Sequence, residues 1–217
     1  MRVTAIQIFS LLLAFLGLVL ASVSMMSNEW RISSTSTTLI TASWIYDGLW
    51  KTCAANAMWV VQCTYYLSLL SLHPYIQACR ALMIISILLG VFATLMALFG
   101  LKCTNLGNTN ETVKGKIALS GGLVFILAGL CAIVPISWYA YNVTMEFYNP
   151  TFGGTKYELG SALYIGWAGS ALLILGGAFL CCSCKRNAQQ SGYKYSSAQS
   201  GQRIYTKAES AQSKAYV

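Results

Sequence analysis

Residues 81–101 of the chain read ALMIISILLGVFATLMALFGL and contain no charged side chain. About 20 residues of α-helix are needed to cross a hydrocarbon layer of roughly 30 Å. Inside that layer every backbone amide needs a partner within the protein, and a helix supplies it. This stretch therefore predicts a membrane-spanning helix.

Three further stretches have the same length and character. They cover residues 5–23, 117–139 and 161–182, and none contains a charged residue. Hydrophobic residues make up 56% of the 217-residue chain and charged residues only 9%, whereas a soluble domain carries about 25% charged residues. Helices buried in a large soluble protein are the alternative, but the chain is too short to bury four of them. The composition thus excludes an ordinary soluble enzyme.

The first stretch has some features of a cleaved signal peptide, because Arg2 precedes it and small residues such as Ala21 and Ser22 end it. A signal peptide has a shorter apolar core, however, and this run has the full length of a span. We therefore predict a mainly α membrane protein. Residues 1–182 form a four-transmembrane-helix bundle, and the polar residues 183–217 form a disordered cytoplasmic tail.

The basic residues indicate the topology of the chain. Outside the four stretches, the N-terminus, residues 102–116 and residues 183–217 together have a net charge of +8, and residues 24–80 and 140–160 together have none. Basic residues accumulate on the cytoplasmic side of membrane proteins. We predict a plasma-membrane protein with both termini in the cytoplasm and outer loops at residues 24–80 and 140–160. Because no folded basic domain is predicted, nucleic acid is not expected as a partner.

The first outer loop has the composition of short strands. Residues 30–46 are mostly β-branched, aromatic or small and polar, and Asp47-Gly48 is a turn signal. A second pair of strands is predicted at residues 49–53 and 58–66, and residues 67–72 predict one or two helical turns. We expect a small extracellular antiparallel β-sheet on the helix bundle.

The eight cysteines fall into three groups by position. Only Cys53 and Cys63 lie clearly in an outer loop, where the oxidising compartment favours a disulfide. A zinc site is the alternative for this pair, but no third or fourth ligand is nearby. Cys79 and Cys131 lie at or within spans and are interpreted as packing residues.

The remaining cysteines lie at the cytoplasmic membrane boundary and are candidates for S-palmitoylation. A metal knuckle is a weak alternative for the last three. The four candidates are Cys103, Cys181, Cys182 and Cys184. With six acidic residues and one histidine in the chain, no metal site, cofactor or catalytic residue is predicted.

Several residues of the first loop form a recognisable signature. Trp30 is followed by Gly48-Leu49-Trp50, then by the two cysteines, and then by Arg80 at the next span. This arrangement resembles the signature of the claudins, four-span proteins of tight junctions. The resemblance covers nearly the whole chain, and residues 27–30 and 40–44 are most similar to the subgroup of claudin-10 and claudin-15.

The resemblance implies a junctional function without catalysis. Claudins of apposed cells meet in trans through their outer loops, and neighbours in one membrane associate in cis into strands that seal the intercellular gap or line a pore. It also implies a cis contact in which an apolar residue, here Leu69, enters a pocket of Phe147, Tyr148 and Leu159 on the next copy. Packing of Leu69 on its own bundle is the alternative reading of that residue. A four-span accessory subunit of another membrane protein is the alternative reading of the whole chain.

Ion selectivity in such a pore depends on fixed charges. Arg31 and Lys51 are the candidate anion attractors, and Asp47 could cancel Lys51. Asn56 is neutral where cation-selective relatives carry an acid. Anion-selective relatives carry basic residues at three positions where this chain has neutral ones, namely Thr35, Thr64 and Leu70. We expect a weakly anion-selective or poorly selective channel. A purely sealing barrier is the alternative function, and a solvated surface position is the alternative for each charge.

The C-terminal end predicts cytoplasmic partners. Ala215, Tyr216 and Val217 can add as a strand to the edge of a PDZ domain, with the Val217 side chain in a pocket. Lys185 and Arg186 beside the fourth span suit anionic lipid headgroups. The expected partners are therefore further copies, other claudins, PDZ scaffold proteins and membrane lipid.

Overall fold

The computed structural model describes residues 2–33, 44–55, 58, 60–66, 73–100, 111–149 and 156–183. Helices account for most of these residues: α1 is Arg2–Met26, α2 is Pro74–Gly100, α3 is Glu111–Tyr148 and α4 is Ser161–Ser183. Each contains an apolar stretch long enough to cross a membrane. The prediction of a mainly α, four-span protein is confirmed.

The outer surface of the bundle is as apolar as its interior. Phe9, Leu12 and Leu16 of α1, and Leu88 and Phe92 of α2, each expose about half of their surface or more. A helix that is apolar on all sides is typical of a membrane span rather than of a helix at a water interface. These side chains therefore face lipid.

Two helices extend beyond the predicted spans. α2 begins at Pro74, because proline suits the first position of a helix, where its missing amide proton is not needed. α3 runs on from Tyr139 to Tyr148, where a loop is expected from the sequence. Polar residues such as Asn142 and Glu146 end the lipid-crossing part of a helix without ending the helix itself. With 38 residues, α3 is about 57 Å long.

Five short strands form one antiparallel sheet at the end of the bundle. They are β1 (Arg31–Ser33), β2 (Trp44–Asp47), β3 (Lys51–Ala55), β4 (Val61–Tyr65) and β5 (Tyr157–Leu159), in the order β4-β3-β2-β1-β5. The small antiparallel sheet is confirmed. β5 lies in the second outer loop, for which the sequence predicts no strand, because three residues are too few to show an alternating pattern.

A core cluster joins the sheet to the bundle. Its largest fully buried members are Trp30 and Leu49 from the first loop, Met83 of α2, and Ile136 and Tyr139 of α3. A second cluster lies deeper in the bundle and is built from smaller residues and a few large ones, among them Ala14, Ala93, Phe125 and Leu173. The sheet is thus packed directly on the helices and is not tethered to them by a linker.

Glycines allow α1 and α4 to approach each other closely. A Cβ atom at Gly17 would lie 2.7 Å from the Gly169 carbonyl oxygen, and one at Gly176 would lie 2.7 Å from the Ala14 nitrogen. Small residues at such crossings let backbones meet, so dispersion contacts can hold the helices together in lipid.

Gly160 has a similar role where the sheet meets α4. Its amide donates to the Trp30 carbonyl at 3.0 Å, and the Ala162 amide donates to the Glu29 carbonyl at 3.1 Å. The Ser161 hydroxyl donates to the Glu29 carboxylate. A negative charge at the beginning of a helix is favourable, so these contacts fix the 28–30 turn on the start of α4.

We expect Gly160→Ala to reduce the free energy of unfolding by about 1–3 kcal/mol, because the added methyl group would overlap the backbone of Glu29 and Trp30. Thermal unfolding of the purified protein in detergent micelles measures the loss. Gly115→Ala is the matched control, since a Cβ atom there meets nothing within 4 Å. Equal unfolding temperatures for the two variants would contradict this prediction.

Candidate functional site

Trp30 anchors the first loop in the bundle. Its side chain is fully buried, and its ring packs edge-on against Tyr139 at a centroid distance of 5.1 Å. Its indole Nε1 donates to the Ser24 carbonyl at 2.9 Å, so the buried polar atom is satisfied. The backbone amide of Trp30 donates to the Asp47 carbonyl at 3.1 Å, which connects β2 to the same point.

Arg80 holds the turn after β2. Its Nε donates to the Leu49 carbonyl at 2.6 Å, and its guanidinium lies 5.0 Å from the Trp50 ring and 5.5 Å from the Tyr66 ring. Gly48 is required in this turn because a Cβ atom there would lie 2.7 Å from the Asn28 Cα. The structure thus brings together the signature residues of the first loop with Arg80 of α2.

The predicted disulfide between Cys53 and Cys63 is confirmed. The two residues are directly opposite each other in the β3–β4 hairpin. Cys53 is buried, whereas every residue of β4 is exposed. β4 is also the edge strand of the sheet, so the bond ties an exposed edge to the better packed strand beside it.

Arg31 has two carboxylate partners. Its Nε lies 2.9 Å from Asp47 Oδ2 and its Nη1 lies 3.6 Å from Glu146 Oε2. Its guanidinium carbon also lies 4.2 Å from the centre of the Tyr157 ring. Burial alone would lower the pKa of Arg31, but attraction to Tyr139 and Asp47 outweighs burial and holds this pKa above its usual value. Asp47 therefore neutralises Arg31, whereas the sequence suggested that it could cancel Lys51.

Lys51 differs from Arg31 because it has no ion pair in the described part of the chain. It lies opposite Tyr65 in the β3–β4 ladder, and its ammonium group is 5.9 Å from the centre of that ring. A lysine at this distance from an exposed tyrosine gains little from the contact and keeps its charge near the surface.

An open pocket with both polar and apolar residues in its lining lies between the end of α3 and β5. It has a volume of about 300 Å³ and contains all three residues predicted for the cis interface, Phe147, Tyr148 and Leu159. The rings of Phe147 and Tyr148 meet edge-on at 5.6 Å, and Tyr148 is 77% exposed. The Lys156 ammonium lies 5.4 Å from the Phe147 ring. The structure therefore brings these three predicted residues together in one pocket.

The opposite end of the bundle holds two of the palmitoylation candidates. Cys181 is half-buried, and its thiol donates to the Leu119 carbonyl at 3.7 Å. Cys182 is exposed.

The two cysteines interpreted as packing residues lie within the bundle. Cys79 is buried and its thiol donates to the Pro135 carbonyl at 3.5 Å, and Cys131 is half-buried.

Several predicted residues lie outside the described ranges, namely Asn56, Leu69, Cys103, Cys184, Ala215, Tyr216 and Val217. Within those ranges, no three histidine, cysteine or acidic residues are grouped so that they could hold a metal ion.

Two residues that the sequence analysis did not single out take part in the site. Glu146 is the second partner of Arg31, and Tyr157 stacks on its guanidinium. The sequence contains only a weak signal for Glu146. It is one of two acidic residues in the second outer loop, and such a residue either pairs with a basic residue elsewhere or remains solvated.

The comparisons with known proteins agree with this architecture. The model of the PMP-22/EMP/MP20/Claudin family matches residues 2–180. The chain is 45% identical over 185 residues to claudin-15 of Bos taurus, which covers 84% of this chain and 79% of the relative. The chain belongs to the claudin family. It is also 46% identical over 183 residues to claudin-19 of Rattus norvegicus, covering 83% and 82%, and 42% identical over 193 residues to claudin-7 of Homo sapiens, covering 88% and 92%.

The predicted likeness to claudin-15 is confirmed, and claudin-19 is similar to the same degree. Claudins are structural proteins of junctions, and membership supports a tight-junction role for this multi-pass membrane protein. It also supports self-association of this chain in tight junctions.

Replacing both Cys53 and Cys63 with alanine should lower the free energy of unfolding by about 2–3 kcal/mol, because the bond closes a loop with a sequence separation of 10. Thermal unfolding in detergent micelles tests this loss. Cys182→Ala is the matched control, since that exposed thiol has no disulfide partner in the described part of the chain. A double variant as stable as the Cys182→Ala variant would refute the prediction.

Proposed function

We propose that this claudin forms tight-junction strands whose outer loops line a paracellular ion channel with a weak preference for anions. The observation that carries the proposal is the distribution of charge in the sheet. Arg31 pairs with two carboxylates, whereas none of the carboxylates in the described ranges pairs with Lys51 beside the exposed edge strand β4.

Lys51 is the residue to which we assign the anion preference. Asp47 is directed to Arg31 at 2.9 Å, so it does not cancel Lys51 at close range. β4 carries no charged residue of its own, and its exposed side chains include Gln62 and Thr64. A single lysine in a neutral surface attracts anions modestly, which supports low rather than strong selectivity.

The pocket between α3 and β5 supports cis association. Its apolar wall residues Phe147 and Leu159 would gain by desolvation when an apolar side chain of a neighbouring copy enters. Leu69 is the side chain we assign to this role, in keeping with the apolar run at residues 67–72.

A purely sealing barrier is the second candidate function. It is favoured by the apolar surface at the tip of the β3–β4 hairpin, where Met58 is 87%, Val60 60% and Val61 57% exposed. Apolar side chains of this kind exclude water and ions if they meet equivalent side chains of an apposed copy. Transepithelial resistance and ion permeability distinguish the two candidates.

We further propose that both termini are cytoplasmic, as the charge distribution indicates. In this topology the C-terminal Val217 is available to PDZ scaffold proteins, and the basic residues after α4 meet anionic lipid. Cys182, which is exposed at the end of α4, is then the better acylation site of the adjacent cysteine pair.

Expression in cells that lack junctions should produce continuous strands at cell contacts, visible by freeze-fracture electron microscopy. Phe147→Ala should reduce strand length, because it removes an apolar wall of the pocket. Phe179→Ala is the matched control, since it truncates a ring exposed on the membrane-facing surface of α4. Diffuse membrane staining without strands would contradict the proposed function.

Lys51→Glu should shift permeability from chloride toward sodium in a dilution-potential measurement across an epithelial monolayer. One unit charge about 4 Å from the ion path contributes about 1 kcal/mol in water, and this substitution changes the charge by two units, so the permeability ratio should change on the order of thirtyfold. Lys116→Glu makes the same change on an exposed α3 residue at the opposite end of the bundle and should have no effect. An unchanged ratio for Lys51→Glu would remove Lys51 from the ion path.

A further inference from the structure

The pocket has two walls that come from separate parts of the chain. One wall is the end of α3, with Val143, Thr144, Phe147 and Tyr148, and the other is the whole of β5. β5 is only three residues long, and within the sheet it pairs with β1 alone. Such a short strand has few backbone hydrogen bonds, so side-chain contacts act together with the Gly160–Trp30 backbone bond to set its distance from α3.

Arg31 contacts both walls from the side of the sheet. Its Nη1 reaches Glu146 Oε2 on α3 at 3.6 Å, and its guanidinium carbon lies over the Tyr157 ring on β5, 4.2 Å from the ring centre. Its Cα is directly opposite Leu159, a pocket residue, in the β1–β5 ladder. One side chain thus connects the helix wall and the strand wall.

Asp47 holds Arg31 in this position. The Asp47 side chain is 5% exposed and lies 2.9 Å from Arg31 Nε. Removing the cationic partner of a buried carboxylate is strongly destabilising, so the pair keeps the guanidinium fixed on β1 and β2. Both pocket walls are then positioned by contacts with the fixed Arg31 guanidinium.

We propose that Arg31 is a positioning residue, which sets the separation of α3 and β5 and thereby shapes the pocket for the apolar side chain of a neighbouring copy. This inference rests on the proposed cis association through the pocket. Arginine suits the role because its planar group pairs with one carboxylate on each side and stacks on a ring at the same time. A lysine offers a point charge and cannot make all three contacts.

The Glu146 contact can be removed without unfolding the protein. The Glu146 side chain is 31% exposed, and an ion pair at such a site contributes little to global stability. Its loss should free the end of α3 from Arg31, while Asp47 still holds the guanidinium on the sheet.

The test measures cis association as energy transfer between two differently labelled copies in the membrane of isolated cells, which excludes trans contacts. Glu146→Gln and Arg31→Lys should each weaken association about two- to fivefold, the range expected for one partly exposed ion pair. Both variants should reach the surface with the Cys53–Cys63 bond formed. Lys116→Gln, a charge change at the opposite end of α3, should associate like the wild type.

A double variant separates positioning from a general loss of stability. If Glu146 acts only through the pocket, Glu146→Gln should cause no further loss of association in a Phe147→Ala background. Independent effects that multiply in the double variant would overturn the inference. Wild-type association of both Glu146→Gln and Arg31→Lys would also overturn it, and would leave the proposed pocket intact.

Absence of association in the wild type itself would refute the proposed cis contact, and the inference with it. If Glu146→Gln does not reach the cell surface, Tyr157→Leu provides the second variant, because it removes the stacking surface and changes no charge. Its association should fall in the same range, and an unchanged value would overturn the assignment of Arg31.

Discussion

The burial of Trp30 at the junction of the sheet and the bundle is the contact on which the remaining structure depends. Its ring fills the space beside Tyr139, and its backbone amide and carbonyl bond to Asp47 and Gly160. One residue thereby connects α1, β2 and the start of α4. Because the ring is fully buried, the sheet cannot shift relative to the helices without opening a large cavity in the core.

The anchored sheet divides its charges into two groups. Arg31 lies in the interior of the sheet, where carboxylates from β2 and α3 surround it, so it organises the protein and contributes little to the outer field. Lys51 lies beside the edge, where no carboxylate pairs with it among the described residues. The strand register produces this division, because β1 places Arg31 directly opposite Asp47.

The membrane environment makes the helices of this protein predictable from its sequence, but it does not make the long-range pairings of the outer loops predictable. The four spans follow from composition alone, because a hydrocarbon layer requires long uncharged runs, and the disulfide follows from the compartment of Cys53 and Cys63. The pairing of Arg31 with Glu146 could not be derived, since 115 positions separate the two residues and no local pattern links them. The same holds for β5, which becomes a strand only because β1 is present beside it. The full lengths of α2 and α3 exceed the predicted spans, because hydropathy reports where lipid ends and not where hydrogen bonding ends.

The length of α3 has a mechanical consequence. A helix of about 57 Å is nearly twice as long as a hydrocarbon layer of roughly 30 Å is thick, so its last turns must stand in water beyond the lipid. Pro135 lies inside this helix and removes one backbone hydrogen bond, and such a position is where a long helix bends. The part of α3 that carries Phe147 and Tyr148 can therefore differ in direction from the part that crosses the lipid.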